Sequence, residues 1–169
     1  MVGALCVLGV FLLLYDVTVK FDRWVTNAAG IGVLGVAFLP GSPAVPHLTT
    51  SEEVIGNLHV AFASIAFIGL AITMWRFGEA ISDGPGAAAP SPRATLFYRV
   101  SACLMMVFIL GSGAAILLPL SVQNSTLAIY DTEALAIVTF GVSWLVKGNA
   151  MQPRASSPGE AAGGATPLR

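Results

Sequence analysis

The sequence predicts an all-α fold: a polytopic transmembrane helix bundle of about five spans, with the N-terminus outside and the C-terminus cytoplasmic. Three features predict it. The first is composition: of 169 residues, 56% are hydrophobic and 10% charged, with a mean hydropathy of +0.81, whereas a soluble domain carries about 25% charged residues. The second is a set of five apolar runs between turn signals, at about 2–15, 25–39, 54–75, 100–120 and 127–146. The third is the one-sided placement of Lys and Arg.

A bilayer core of about 30 Å needs about 20 residues of helix at about 1.5 Å each. The first run, "VGALCVLGVFLLLY", spans only about 21 Å by the same rise. It also lacks the basic n-region and small-residue cleavage site of a signal peptide. A trimmed start is therefore expected, with one more helix in an intact form. The second run, "NAAGIGVLGVAFLP", is short and stops at Pro40, which lacks a backbone donor. Its small residues Ala28, Ala29, Gly32 and Gly35 form a surface on which another helix can lie close.

The third run carries His59, the fourth carries Met105 and Met106 as core filler and "GSGAA" as a packing stretch, and the fifth carries Glu133. Cys6 and Cys103 sit in apolar runs without a CxxC spacing, so they read as small buried hydrophobes. The connection "RFGEAISDGPGAAAPSPRATLFYR" and the tail are rich in Gly, Pro, Ala and Ser. With little to bury, both are expected to be mobile. The predicted organisation is thus a transmembrane domain over 1–147 and a disordered cytoplasmic tail over 148–169.

Orientation follows from the cations, because cytoplasmic loops collect Lys and Arg. Lys20 and Arg23, then Arg76, Arg93 and Arg99, then Lys147, Arg154 and Arg169 all fall on one side of the five-span arrangement. The loops on the other side, "GSPAVPHLTTSEE" and "SVQNST", hold neither. Trp24, Trp75, Trp144, Tyr15 and Tyr98 lie toward the basic ends, as an interfacial aromatic belt would. The lipid bilayer is the expected partner, with a helix of another protein or a second copy as a further one. A net charge of -1 without a basic stripe excludes a nucleic-acid partner. No cofactor motif is present: there is no phosphate-cradling Gly-rich loop, nucleophile elbow or paired haem histidines.

An ionisable group inside a span costs roughly 2.5–3.5 kcal/mol at the centre, so each needs a partner, a cavity or an interface. His59 and Glu133 lie at roughly 7 Å and roughly 9 Å from the outer ends of their runs by helical rise. On different helices and at comparable depth, they are the candidate polar site. Asp131 is about 200° around the helix from Glu133, so the two face different ways: Glu133 inward and Asp131 toward the headgroups is the expectation, with the reverse as the alternative. Glu52, Glu53 and His47 belong to the adjoining outer loop and can fold over the same region, and Glu52, Gly56, His59 and Ala63 share one helix face.

Several readings of this set stand together. His59 is either a neutral residue tying helices together or a ligand, and the carboxylates either complement a helix dipole or act chemically. A zinc site needs three or four ligands, and the two histidines occur without HExxH or a Cys-His spacing. The residues therefore favour a non-enzymatic membrane protein, structural or binding, with a His59–Glu133 contact near the outer face. The alternatives are a membrane-embedded enzyme acting on a lipid-like substrate, with Glu133 as acid or base, and a proton-coupled carrier.

The stretches "VGALCVLGVFLLLY", "FDRWVTNAAGIGVLGVAFLP", "NLHVAFASIAF", "YRVSACLMM" and "EALAIVTFGVSWLVKG" together resemble a family of small polytopic bacterial membrane proteins of unknown function. In overall layout the chain is more remotely similar to damage-regulated autophagy modulator-like proteins. The resemblance covers 1 to about 148 and implies a multi-pass protein of the bacterial inner membrane. In that family a further polar segment and helix precede the match to "VGALC". His59 falls on the family's "LH" position and Glu133 on the acidic residue opening its last helix; the resemblance carries no reaction.

Overall fold

The computed structural model describes residues 2–42, 45, 47–79, 90–119 and 128–150. Among them five helices form and no strand: α1 (Val2–Leu14), α2 (Lys20–Phe38), α3 (Thr50–Phe77), α4 (Pro92–Ile116) and α5 (Ala128–Ala150). Two are long and apolar enough to cross a membrane, α3 over its whole length and α4 over Pro92–Ala114, while α1 is a shorter apolar helix.

Helices α2, α3 and α4 start ahead of the apolar stretches that announce them, because their first turns are polar. At α3, Thr49 accepts a bond from the Glu52 N–H at 3.3 Å, and the Glu52 carboxylate accepts from the Thr49 N–H at 2.8 Å. This reciprocal capping box satisfies two orphan donors and moves the start back to Thr50. At α4 the start is Pro92 rather than 100. Pro92 follows Ser91, whose hydroxyl accepts from the Ala94 N–H at 3.2 Å, the arrangement in which a first-turn proline loses no bond. The α2 helix starts at Lys20 rather than 25, with Asp22 in its first turn, where a carboxylate complements the dipole. Residues 80–89, 120–127 and 151–169 are outside the described residues, so the mobility expected of the long connection and the tail falls mostly there.

Contacts at the helix ends establish an alternating up-and-down bundle. One end joins the start of α2 to the end of α3 through Asp22 and Arg76, the ends of α1 and α5 through Tyr15 and Trp144, and the end of α3 to the start of α4 through Phe77 and Tyr98. The opposite end joins Leu39 to His59 and Ser112 to Glu133. Neighbours in sequence pack together, and α5 also packs on α3.

The core is made of small and medium residues: Leu12, Ala29, Val33, Ala66, Leu70, Met74, Met105, Ala136 and Phe140 among them. Small side chains bring the helices close. A Cβ on Gly32 would stand 2.6 Å from the Ala66 backbone nitrogen, and one on Gly30 would stand 2.9 Å from the Gly9 carbonyl oxygen. The α1–α2–α3 layer is thus seated on backbone-to-backbone contacts that any larger residue would block. Of the small residues predicted to pack, Ala29, Gly32 and Gly35 meet α3, while Ala28 faces outward.

The exterior is apolar on every helix, with Leu14, Ile31, Ile68, Leu104, Val138 and Leu145 exposed. At the basic end, Phe11, Tyr15, Phe77, Phe140 and Trp144 form an aromatic cluster of edge-to-face and tilted pairs with centroid separations of 4.8–5.8 Å. Tyr98 joins it through Phe77 and is almost fully buried. Of the five residues expected in an interfacial belt, only Trp24 and Trp75 face outward; the other three are drawn into the bundle, where aromatic edges meet aromatic faces.

Candidate functional site

His59 and Glu133 come together at the end of the bundle opposite the cations, but they do not bond to one another. His59 sits two turns into α3 and is half-buried. Its Nδ1 is 2.6 Å from the carbonyl oxygen of Leu39, the residue that closes α2. That carbonyl lies where a helix leaves its last acceptors without partners and where Pro40 follows with no donor of its own. The imidazole is therefore pinned across the α2–α3 connection. The backbone of that connection can lie close because Gly56 has no side chain: a Cβ there would come within 1.6 Å of the Ser42 hydroxyl oxygen.

Glu133, in the second turn of α5, accepts a bond from the Ser112 hydroxyl of α4 at 3.3 Å. Ser112 is buried. His59 and Glu133 are thus each hydrogen-bonded to a separate anchor on a different neighbouring helix. Each anchor satisfies a group that the fold would otherwise leave bare, the closing carbonyl of α2 and a buried hydroxyl of α4.

What the two residues share is space. A cavity of about 200 Å³ lies between α1, α2, α3 and α5, walled by Leu5, Leu8, Val33, Phe67 and Ile137, and both His59 and Glu133 line it together with Tyr130. A smaller cavity of about 90 Å³ lies between α3, α4 and α5, and His59, Glu133 and Ser112 line that one. The pair, with Ala63 and Phe67, thus forms the boundary between two hollows. The larger hollow has the character of a ligand site, with apolar walls and a few polar groups gathered at one part of the lining.

The other predicted site residues are elsewhere. Glu52 is exposed and committed to the capping box with Thr49. Asp131 is exposed on the first turn of α5, and His47 is exposed in the α2–α3 connection; neither lines a cavity with His59. Among the described residues no group of three or more His, Cys, Asp or Glu side chains is placed to hold a metal ion. Ser112 and Tyr130 are the site residues that sequence reasoning passed over. Ser112 was hidden in "GSGAA", a stretch whose small residues read as packing, although a lone hydroxyl in such a stretch is itself a sign of an interhelical bond.

A second polar constellation lies at the basic end. Arg76 donates from Nε to Asp22 Oδ1 at 2.7 Å and from Nη2 to Oδ2 at 3.3 Å, and it also bonds Glu79. Asp22 is buried. The void beside it holds only about 20 Å³, about the space of a single water, so this pair is a clamp between α2 and α3.

No protein-family model, curated protein or solved structure matches the chain.

Proposed function

We propose that this protein is a multi-pass membrane protein that binds a small amphiphilic molecule in the His59–Glu133 cavity, without performing chemistry on it. Five spans, the basic end in the cytoplasm and the His59–Glu133 end toward the outer leaflet make up the proposed topology; a bacterial inner membrane is the proposed location. The apolar exterior of all five helices supports the membrane setting, since a water-soluble bundle exposes polar faces. The observation that carries the binding reading is the cavity of about 200 Å³ with apolar walls and His59, Glu133 and Tyr130 in its lining. An engineered apolar cavity of about 150 Å³ already accepts benzene.

Binding is favoured over catalysis by what the two side chains do. His59 spends one ring nitrogen on Leu39 and Glu133 one oxygen on Ser112, so both are oriented by the fold and keep one side for a ligand. The test is native mass spectrometry of the protein purified in mild detergent, comparing the parent with Ala134→Phe, which fills the cavity from α5. A retained small-molecule adduct that the variant loses is the expected result. Identical spectra for a folded variant and the parent would overturn the reading.

A further inference from the structure

We propose that the cavity selects an organic ammonium: a primary amine, in its charged form, carried on an apolar group of about six carbons. The inference rests on the binding reading above and assigns its ligand class. It comes from an accounting of donors and acceptors. The Leu39 carbonyl can only accept, so the proton of that 2.6 Å bond resides on His59 Nδ1. In a neutral imidazole the other nitrogen, Nε2, is then an acceptor. The carboxylate of Glu133 also only accepts; the Ser112 hydroxyl occupies Oε1, and no other described residue donates to either oxygen. With the imidazole neutral, two acceptors on different helices thus line one hollow in which the other described polar side chain is the Tyr130 hydroxyl, a neutral donor, and which no Lys or Arg lines. A –NH₃⁺ group offers three donors and no acceptor, and its bonds to an ionised partner are the stronger, charge-assisted kind.

Charge points the same way. The charged residues described at this end of the bundle are Glu52, Glu53, Asp131 and Glu133, with His59 and His47 as the only other titratable side chains there besides Tyr130; all described Lys and Arg are at the far end. A carboxylate or phosphate would enter against like charge, whereas a cation is drawn in. The size of the apolar part follows from the volume: about 200 Å³ exceeds what benzene requires by a few atoms, room for a hexyl chain or a phenylalkyl group.

The experiment is calorimetric titration of the full chain in detergent with hexylamine, hexan-1-ol and hexanoate, repeated on Glu133→Gln and Ala134→Phe. Hexylamine is expected to saturate with a Kd about tenfold below that of hexan-1-ol, the ratio set by one charge-assisted bond, and the preference is expected to vanish in Glu133→Gln. Equal affinity for the amine and the alcohol, or tighter binding of hexanoate, overturns the ammonium assignment while leaving the cavity as a binding site. If none of the three saturates with the parent, or if a folded Ala134→Phe binds all three like the parent, the binding reading itself fails. The ligand series on the parent alone decides the first question, so a poorly folding Glu133→Gln does not blunt the test.

Discussion

Asp22 illustrates how much one polar side chain can hold in a bundle whose core is mostly apolar. Its carboxylate takes both arms of the Arg76 fork and is itself buried, so removing its charge leaves Arg76 without the bidentate partner that spans α2 and α3. Breaking a buried pair from one side costs about 3–5 kcal/mol; because Arg76 also bonds Glu79, the cost for Asp22→Asn is expected at the lower limit, roughly 3 kcal/mol. Thermal unfolding in detergent, followed by circular dichroism, measures it, and an unchanged midpoint would contradict the clamp. None of this was legible in the sequence. Asp22 stands in a polar first turn ahead of the apolar run, and its partner is 54 positions away, read there only as an orienting cation. His59 and Glu133 were legible as a pair, since helical rise alone puts them at one depth. Their actual partners, a backbone carbonyl and a serine, carry no signature that a pattern of residue types could reveal.

At the scale of the helix, close approach rather than side-chain volume sets the α2–α3 interface. The Gly32 position admits no Cβ without moving the α3 backbone, because its neighbours there are the Ala66 nitrogen and the Phe62 carbonyl at 2.6 and 2.8 Å. Gly141 on α5 has open space around the same point. Gly32→Ala is therefore expected to destabilise by about 1–3 kcal/mol, the cost of overpacking. Gly141→Ala should be neutral or slightly stabilising, because alanine is the better helix former by up to about 1 kcal/mol. Melting the two variants side by side checks the contrast, and equal effects would refute a backbone-limited interface. The existence and order of the helices were readable from the apolar runs, and the small-residue stripe on α2 pointed to close packing. The starts of α2, α3 and α4 were not, because a scan for hydropathy begins where a helix turns apolar, whereas the helix itself begins at Lys20, at the Thr49–Glu52 box and at the Ser91–Pro92 cap.

Across the whole molecule, two asymmetries coincide. The described cations Lys20, Arg23, Arg76, Arg93, Arg99 and Lys147 gather at one end, around an aromatic cluster that Lys147 caps by lying 5.6 Å from the Phe77 ring centre. The cavity with His59 and Glu133 is at the other end. Alternation of five helices is what converts a one-dimensional spacing of Lys and Arg into this polarity, since every second connection returns to the same end. If the bundle sits in a membrane by the rule that cytoplasmic loops collect cations, the two ends must differ in their access to reagents added outside a cell. With Cys6 and Cys103 first replaced by alanine, a single cysteine at Leu48 is expected to react with a membrane-impermeant maleimide on intact cells. One at Ser91 should react only after the membrane is opened. Both positions are exposed connection residues, so burial does not confuse the readout. Reaction at Ser91 on intact cells would invert the orientation and put the cavity on the cytoplasmic side. Reaction at both would remove the bilayer from between the two ends, leaving the apolar exterior to be covered by protein instead of lipid.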